Sequence, residues 1–498
     1  MPRPPRVPDP VRAGVHRFPH LRQDAAASLV VFLVAVPLCL GVAVASGAPA
    51  ELGLITGIVG GLVTGLLPGS SLQVSGPAAG LTVLVYQAVD SYGLPALGVI
   101  VLAAGLLQLA MGALRLGRWF RAMSLSVIEG MLAGIGLVLI AGQLYAAAGL
   151  EAPAGGVDKL LGLPGAAADA LAGRETLASL AVAAGTVLVM VLWRRLPGPA
   201  GSVPGALAAV LLATAVTAAF AVPVATVEVR GLFDSVRPPG TDTLGILTDV
   251  GVLGTIVAFA LIASAESLFS AAAVDRLHTG PRTRYNRELM AQGAGNTVCG
   301  LLGALPMTAV IVRSSANVQA GARTKASRVL HGVWLLLFAA LLPSVLALIP
   351  LPALAGILIH AGWKLIPFRG LVTLWRGQRG EALVLVVTAV SIVAVNMFEG
   401  VLIGLALSVV KTAWESSKVK LEVTDKGAGP VQVHLSGNAT FLRLPKILDT
   451  LESLPQDRPV ELDLTALHHL DHACSTALSH WAERHSGTDT PPVRLTTR

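Results

Sequence analysis

Charge is what this sequence has least of: 13% of its 498 residues are Asp, Glu, Lys or Arg, against 54% hydrophobic. So few charges do not hydrate the surface of a soluble protein of this length, and most of the chain is expected in lipid. Cysteine is scarce too. Cys39, Cys299 and Cys474 lie in apolar or helical surroundings without paired spacing, which excludes a disulfide framework or a cysteine metal site and leaves three small buried residues. The sequence has no nucleophile triad, phosphate loop, metal-ligand cluster or dinucleotide fingerprint, and Gly57-Ile58-Val59-Gly60-Gly61 reads as close helix packing. An enzyme is therefore not expected. The net charge of +7 does not point to nucleic acid, because the basic residues form small clusters between apolar runs.

What the sequence has is a series of such runs. A membrane-crossing helix needs about 20 apolar residues, and runs of this kind recur from Asp24 to Trp414. We read fourteen spans, near 24–47, 52–68, 72–90, 94–114, 123–148, 175–193, 203–222, 250–274, 288–304, 307–321, 327–348, 350–365, 381–398 and 400–415. Residues 1–23, rich in Pro and Arg, read as a disordered basic N-terminus, and the apolar run after them as a retained first span. With the N-terminus in the cytoplasm, 24 basic residues fall on the inner side. The outer loops then hold only Lys159, Arg174, Arg230 and Arg237, the asymmetry expected when basic flanks resist translocation. Both ends are then cytoplasmic and the protein sits in a bacterial inner membrane. The long outer loops 149–174 and 223–249 read as exposed connections.

After Trp414 the period changes. Val419-Leu421-Val423, Val431-Val433-Leu435 and Val460-Leu462-Leu464 alternate as strands do, with helical stretches at Pro445–Leu454 and His472–His485. A transmembrane domain over 24–415 is thus followed by a small cytoplasmic α/β domain over 418–498.

Two spans are abnormal for lipid-facing helices. The third opens on Gln73-Val74-Ser75-Gly76-Pro77-Ala78-Ala79-Gly80, where Gly76-Pro77 blocks a continuous helix and Pro77 suits the first turn of a new one. The tenth opens on Pro306-Met307-Thr308-Ala309-Val310-Ile311-Val312-Arg313-Ser314-Ser315 at comparable depth. Paired broken helices point to a binding site at the bilayer midplane, with helix N-termini facing an anion. Arg313 strengthens this, since a guanidinium within a span costs at least ~2.5 kcal/mol and is kept where water, a partner or a ligand meets it. Glu266 is the sole carboxylate between Val252 and Val274, a position suited to carrying a proton, coordinating a cation or pairing with Arg313. Ser270 lies one turn on, along the same face. Glu288, Gln292 and Asn296 form a polar stripe on span nine that reads as helix packing; His360, Asn396 and Glu399, near span ends, receive no role.

At these residues the chain resembles the sulfate permease (SulP) family. The resemblance covers roughly 24–485. It rests on Val36-Pro37-Leu38, Ala45-Ser46-Gly47-Ala48-Pro49, Val74-Ser75-Gly76-Pro77, Ala265-Glu266-Ser267-Leu268 and Asn286-Arg287-Glu288-Leu289. The run Arg313-Ser314-Ser315-Ala316-Asn317-Val318-Gln319-Ala320-Gly321-Ala322-Arg323-Thr324 adds its most specific part. It implies an all-α membrane protein of fourteen transmembrane segments in two inverted seven-segment repeats, forming core and gate domains, with a small cytoplasmic α/β STAS domain. It further implies secondary active transport of small inorganic anions, sulfate or bicarbonate, by elevator-like alternating access. The implied substrate-binding residues are Ser75, Gly76, Pro77, Ala78, Val312, Arg313 and Ser314, with Glu266 and Ser270 for ion coupling.

The coupling ion is H+ or Na+, sodium being the one an ion site at Glu266 and Ser270 would take; no other cofactor or metal is expected. Glutamate rather than aspartate at 266 tilts the choice towards protons. Leu38 follows Pro37 where several members have glutamine, which weakens the case for a side-chain contact from that helix. His472, in Leu470-Asp471-His472-Ala473, stands where soluble STAS relatives carry a phosphorylatable serine, so a serine switch there is not expected. The implied partners are the anion, membrane lipids, a second copy in a homodimer and a soluble regulator at the STAS domain, with no nucleic acid. An uncoupled anion channel or exchanger, or a dicarboxylate or nucleobase permease of the same fold, is the alternative reading.

Overall fold

The computed structural model describes residues 20–118, 124–153, 155–193, 195, 203–228, 231–427, 429–456, 458–486 and 493–496. The predicted N-terminal segment up to residue 19, and Arg121, Arg194 and Arg230 of the charge asymmetry, lie outside the described residues. The chain divides into two compact units, Met1–Gly404 and Leu405–Arg498.

The first unit is built from helices because backbone N–H and C=O groups in an apolar medium must be paired within the segment. Among the described residues, seven helical segments are long and apolar enough to cross a membrane. They are α1 (Leu21–Ala45), α4 (Leu94–Ala113), α5 (Leu125–Ala147), α7 (Arg174–Trp193), α9 (Val250–Val274), α14 (Leu351–Leu365) running on into α15 (Phe368–Gly377), and α17 (Met397–Ser416), which reaches the boundary of the second unit. Shorter helices complete it: α2 (Ala50–Val59, continued by a π turn at Gly60–Thr64), α3 (Thr82–Tyr92), α6 (Gly156–Ala172), α8 (Gly205–Ala219), α10 (Tyr285–Leu301), α11 (Ile311–Gln319), α12 (Ala326–Leu341), α13 (Pro343–Leu346) and α16 (Arg379–Ala394).

Two sets of helices pack mainly among themselves. One joins α1, α2, α4, α9, α10 and α12; the other joins α5, α7, α14 and α16. The 3₁₀ turn Ala79–Leu81 that precedes α3 touches α9 of the first set and α5 and α14 of the second.

At two places the helical pattern gives way to extended backbone. Gly76 precedes Pro77, and the residue before a proline is pushed out of the helical region. Thr308, Val310, Ile311 and Val312 form a β-branched stretch after Pro306. There β1 (Ser75–Gly76) and β2 (Thr308–Ala309) pair antiparallel, Ser75 with Ala309 and Gly76 with Thr308. The Val310 N–H extends the ladder to Val74 O at 2.9 Å.

Two connections between predicted spans carry helices of their own. The predicted exposed connection 149–174 carries helix α6, packed on α5, α7 and α16, with Lys159 and Ala170 buried and the Tyr145 O–H donating to Lys159 O at 2.9 Å. Pro164 and three glycines disguised its amphipathic stripe. In the basic segment after Lys364, α15 presents Phe368, Val372 and Trp375 as exposed apolar side chains.

The second unit holds β3 (Val419–Thr424), β4 (Val431–Ala439), β5 (Val460–Leu470) and β6 (Val493–Thr496) in that spatial order, β3 antiparallel to β4 and the rest parallel. Helices α18 (Leu444–Glu452) and α19 (His472–His485) supply Ile447, Leu451, Cys474, Leu478 and Trp481 to a core closed by Val431, Val433, Leu435, Val460 and Leu462 of the sheet. Strand β6 went unread because its alternating run, Val493-Arg494-Leu495-Thr496, is only four residues long.

Asp471 ties this unit together. Its Oδ1 accepts the Cys474 N–H at 2.8 Å as the N-cap of α19, and its Oδ2 accepts the Phe441 N–H at 2.5 Å. The Cys474 N–H, with that of Phe441, holds the carboxyl below the usual aspartate range. Its stabilising effect is therefore complete above the unfolded aspartate pKa and is lost as pH falls through the depressed one. Asp471→Ala is expected to cost about 1 kcal/mol, a typical N-cap loss. Amide exchange in the first turn of α19 should then quicken about fivefold at neutral pH, converging with the parent protein in acid.

Candidate functional site

The N-termini of two short helices meet at the β1–β2 ladder. After β1, the Leu81 N–H donates to Ala78 O at 3.1 Å, so the N–H groups of Ala79 and Gly80 come before the first helical bond. After β2, the first α11 bond is that of the Ser314 N–H to Val310 O at 3.0 Å, and Ile311, Val312 and Arg313 precede it. Unpaired N–H groups and the positive ends of two helix dipoles thus face one place, which favours negative charge there.

Arg313, in the first turn of α11, is fully buried. Its Nη2 donates to Pro77 O at 3.4 Å, while Nε and Nη1 have no hydrogen-bond partner. Nη1 lies directly against Gly76, where any Cβ would collide with it; glycine is what lets the guanidinium reach the break. Cys39 of α1 and His331 of α12 are both fully buried, and neither ring nitrogen of His331 has a hydrogen-bond partner.

Glu266 of α9 approaches the same break further along. A Cβ at Gly80 would lie 2.6 and 2.7 Å from its carboxylate oxygens, and its Oε2 is buried without a hydrogen-bond partner. Among the described residues no ion pair joins Glu266 to Arg313, so the pairing considered for them is absent. The two charges meet different residues of the break, Arg313 at Gly76 and Glu266 at Gly80.

The other predicted residues divide. Ser75, Gly76, Pro77, Ala78, Arg313 and Ser314 come together and are buried. Val312 does not join them through its side chain, which is 43% exposed; only its backbone N–H reaches the helix end. Ser75 Oγ accepts from Gln292 Nε2 at 2.8 Å, and Ser314 Oγ accepts the Val74 N–H at 2.9 Å and donates to Val310 O at 2.8 Å. Both hydroxyls therefore hold the break in shape. Ser270 is buried one turn from Glu266. The serine of α9 that bonds the break is Ser267, whose Oγ accepts the Ala309 N–H at 3.1 Å and whose carbonyl accepts Gln73 Nε2 at 2.8 Å.

The polar stripe of α10 supports this arrangement from behind. Glu288 Oε2 accepts the Ser70 N–H at 2.7 Å, and its Oε1 accepts from Gln292 at 2.8 Å. Asn296 takes the Met307 N–H at 2.7 Å, donates to Met307 O at 3.1 Å and donates to Gln108 Oε1 at 2.8 Å. These bonds satisfy backbone groups that the broken helices leave unpaired in an apolar interior. Arg328 of α12 does the same at Leu67 O, 2.9 Å from its Nη2. Sequence reasoning missed Gln73, Gln108, Ser267, Arg328 and His331; the i, i+4 polar spacing on α10 was the one signal that pointed towards the network.

Known proteins resemble this chain in sequence and in fold. The sequence model of the sulfate permease family matches residues 21–388. The bicarbonate transporter BicA of Picosynechococcus is 28% identical over 424 residues, 81% of this chain and 72% of its own length. The solved transmembrane domain of a cyanobacterial bicarbonate transporter BicA is 26% identical with a TM-score of 0.67, covering 79% of this chain and 98% of that one. The murine anion transporter Slc26a9 shares the fold at 16% identity, with a TM-score of 0.76 over 96% of this chain and 85% of its own. The small C-terminal sheet with its helices is consistent with a STAS domain. Matched over well more than half its length, the chain belongs to the sulfate permease family, multi-pass membrane transporters rather than enzymes.

Proposed function

We propose that the protein is a secondary active transporter that carries small inorganic anions, sulfate or bicarbonate, across a bacterial inner membrane. The observation that carries this reading is the fully buried Arg313, with Nε and Nη1 unpartnered, at the meeting point of two helix N-termini. Sulfate is the substrate in the family's name, and bicarbonate is that of the BicA relatives. An oxyanion of this size is held by the α3 and α11 helix ends and the planar guanidinium, whose fork suits paired oxygens. Ser75, Gly76, Pro77, Ala78 and Ser314 shape that place, and Val312 offers its backbone N–H. Glu266 carries the coupling proton or sodium ion, with Ser270 beside it for the sodium case.

In this reading the fourteen segments form two inverted repeats with both termini in the cytoplasm. The set α1, α2, α4, α9, α10 and α12 then moves as a core against the set α5, α7, α14 and α16. Contacts of the Ala79–Leu81 turn with both sets support it, because they place the helix end where such movement exposes it to either side. The STAS domain contributes to a homodimer and takes a soluble regulator.

Uptake of labelled sulfate and bicarbonate into proteoliposomes under imposed proton or sodium gradients tests the proposal. One of the two anions is expected to accumulate against its gradient under one ion gradient. Anion flux that no gradient drives uphill would replace transport by a channel.

A further inference from the structure

Helices α4 and α10 lie against each other along a glycine seam. A Cβ at Gly112 would sit 3.0 Å from Met290 N and would strike the Met290 side chain, and one at Gly105 would meet Asn296 C at 2.8 Å. Where the seam ends, a cavity of about 470 Å³ opens. Gly112, Ala113 and Met290 line it together with Arg115, Arg118, Arg284 and Arg287. None of the four guanidiniums has an ion-pair or hydrogen-bond partner among the described residues. The carboxylate nearest in sequence, Glu288, is fully buried and bound to Ser70 and Gln292. The N–H groups of Tyr285, Asn286 and Arg287 precede the first α10 bond, from the Glu288 N–H to Arg284 O at 2.8 Å.

Four like charges around one cavity repel unless an anion lies among them. The apolar surroundings say which kind. Ala113 and Met290 are exposed in its lining, and Leu106, two turns back on α4, and Leu114, just past its end, are exposed apolar side chains. A soluble phosphate has no use for that strip, whereas a lipid lays its acyl chains along it. We propose that this cavity holds the phosphodiester headgroup of an anionic phospholipid, with its chains along the outer face of α4. The site is separate from the β1–β2 break and does not depend on which anion is carried.

The test uses the full chain in phosphatidylcholine nanodiscs titrated with phosphatidylglycerol, with retained lipid counted by native mass spectrometry. Arg115→Gln/Arg118→Gln and Arg284→Gln/Arg287→Gln should each weaken retention about 30-fold, roughly fivefold per basic side chain. The matching Lys pairs should stay within about fivefold of the parent. Equal retention in the Gln pairs overturns the site. Displacement of the lipid by submillimolar inorganic phosphate or glycerol phosphate overturns the lipid assignment in favour of a soluble phosphate ligand. Should the Gln variants not fold, the unaltered protein decides. Phosphatidylglycerol is expected to raise its melting temperature relative to phosphatidylcholine by several degrees, an effect that high salt removes, and no difference between the lipids overturns the proposal.

Discussion

Arg313→Ala is expected to raise the half-saturating anion concentration at least tenfold. A hydrogen bond to a charged group contributes about 1.5–3 kcal/mol, and Arg313 has two unpartnered nitrogens, Nε and Nη1, at the break. Arg313→Lys keeps the charge and loses the planar fork, so it should fall between the two. The decisive control is stability. Nη2 has a single long bond, 3.4 Å to Pro77 O, and a buried charge with so little compensation is costly to keep. Arg313→Met is therefore expected to leave the melting temperature unchanged or raise it while anion affinity falls. A purely structural arginine would show the reverse, lower stability with unaltered affinity, and that result would remove Arg313 from the binding site.

Glu266→Gln is expected to abolish gradient-driven accumulation while exchange of anion across the membrane continues. Glutamine keeps the shape of the side chain against Gly80 but binds neither a proton nor a cation. Coupling is a free-energy link between two sites, so removing one ligand's site abolishes the link without emptying the other. Uptake with and without the gradient, beside counterflow in the same vesicles, separates the two effects. Persistent accumulation in the mutant would assign coupling to another group, and loss of counterflow as well would make Glu266 part of the frame that holds Gly80. Comparing proton and sodium gradients in the parent protein identifies the ion.

The long spans were legible because lipid imposes a simple rule: a run of apolar residues must pair its own backbone. Runs such as Val250–Val274 follow from composition alone. Gly76-Pro77 and the β-branched stretch after Pro306 likewise announced that two helices break. The roles of individual side chains were less legible. The resemblance implies Ser75 and Ser314 as anion ligands, yet Ser314 donates its proton to Val310 O, and both hydroxyls accept from residues more than 200 positions away, Ser75 from Gln292 and Ser314 from the Val74 N–H. Ser267 and Ser270 are indistinguishable by type, and only the position of β2 makes Ser267 the one that takes the Ala309 N–H.

By itself the sequence determined that this protein lives in a membrane, that two of its helices are interrupted, and that an arginine and a glutamate are kept among apolar neighbours. Those are local properties, set by hydropathy and by the backbone preferences of proline, glycine and β-branched residues. Tertiary structure alone decided that the two breaks pair as β1 and β2 and that Glu266 and Arg313 stand apart. It also decided that the stripe on α10 supplies the hydrogen bonds the breaks need. The reason is physical: an unpaired backbone group in an apolar interior must find a partner wherever the fold brings one, and these partners came from segments that sequence distance does not connect.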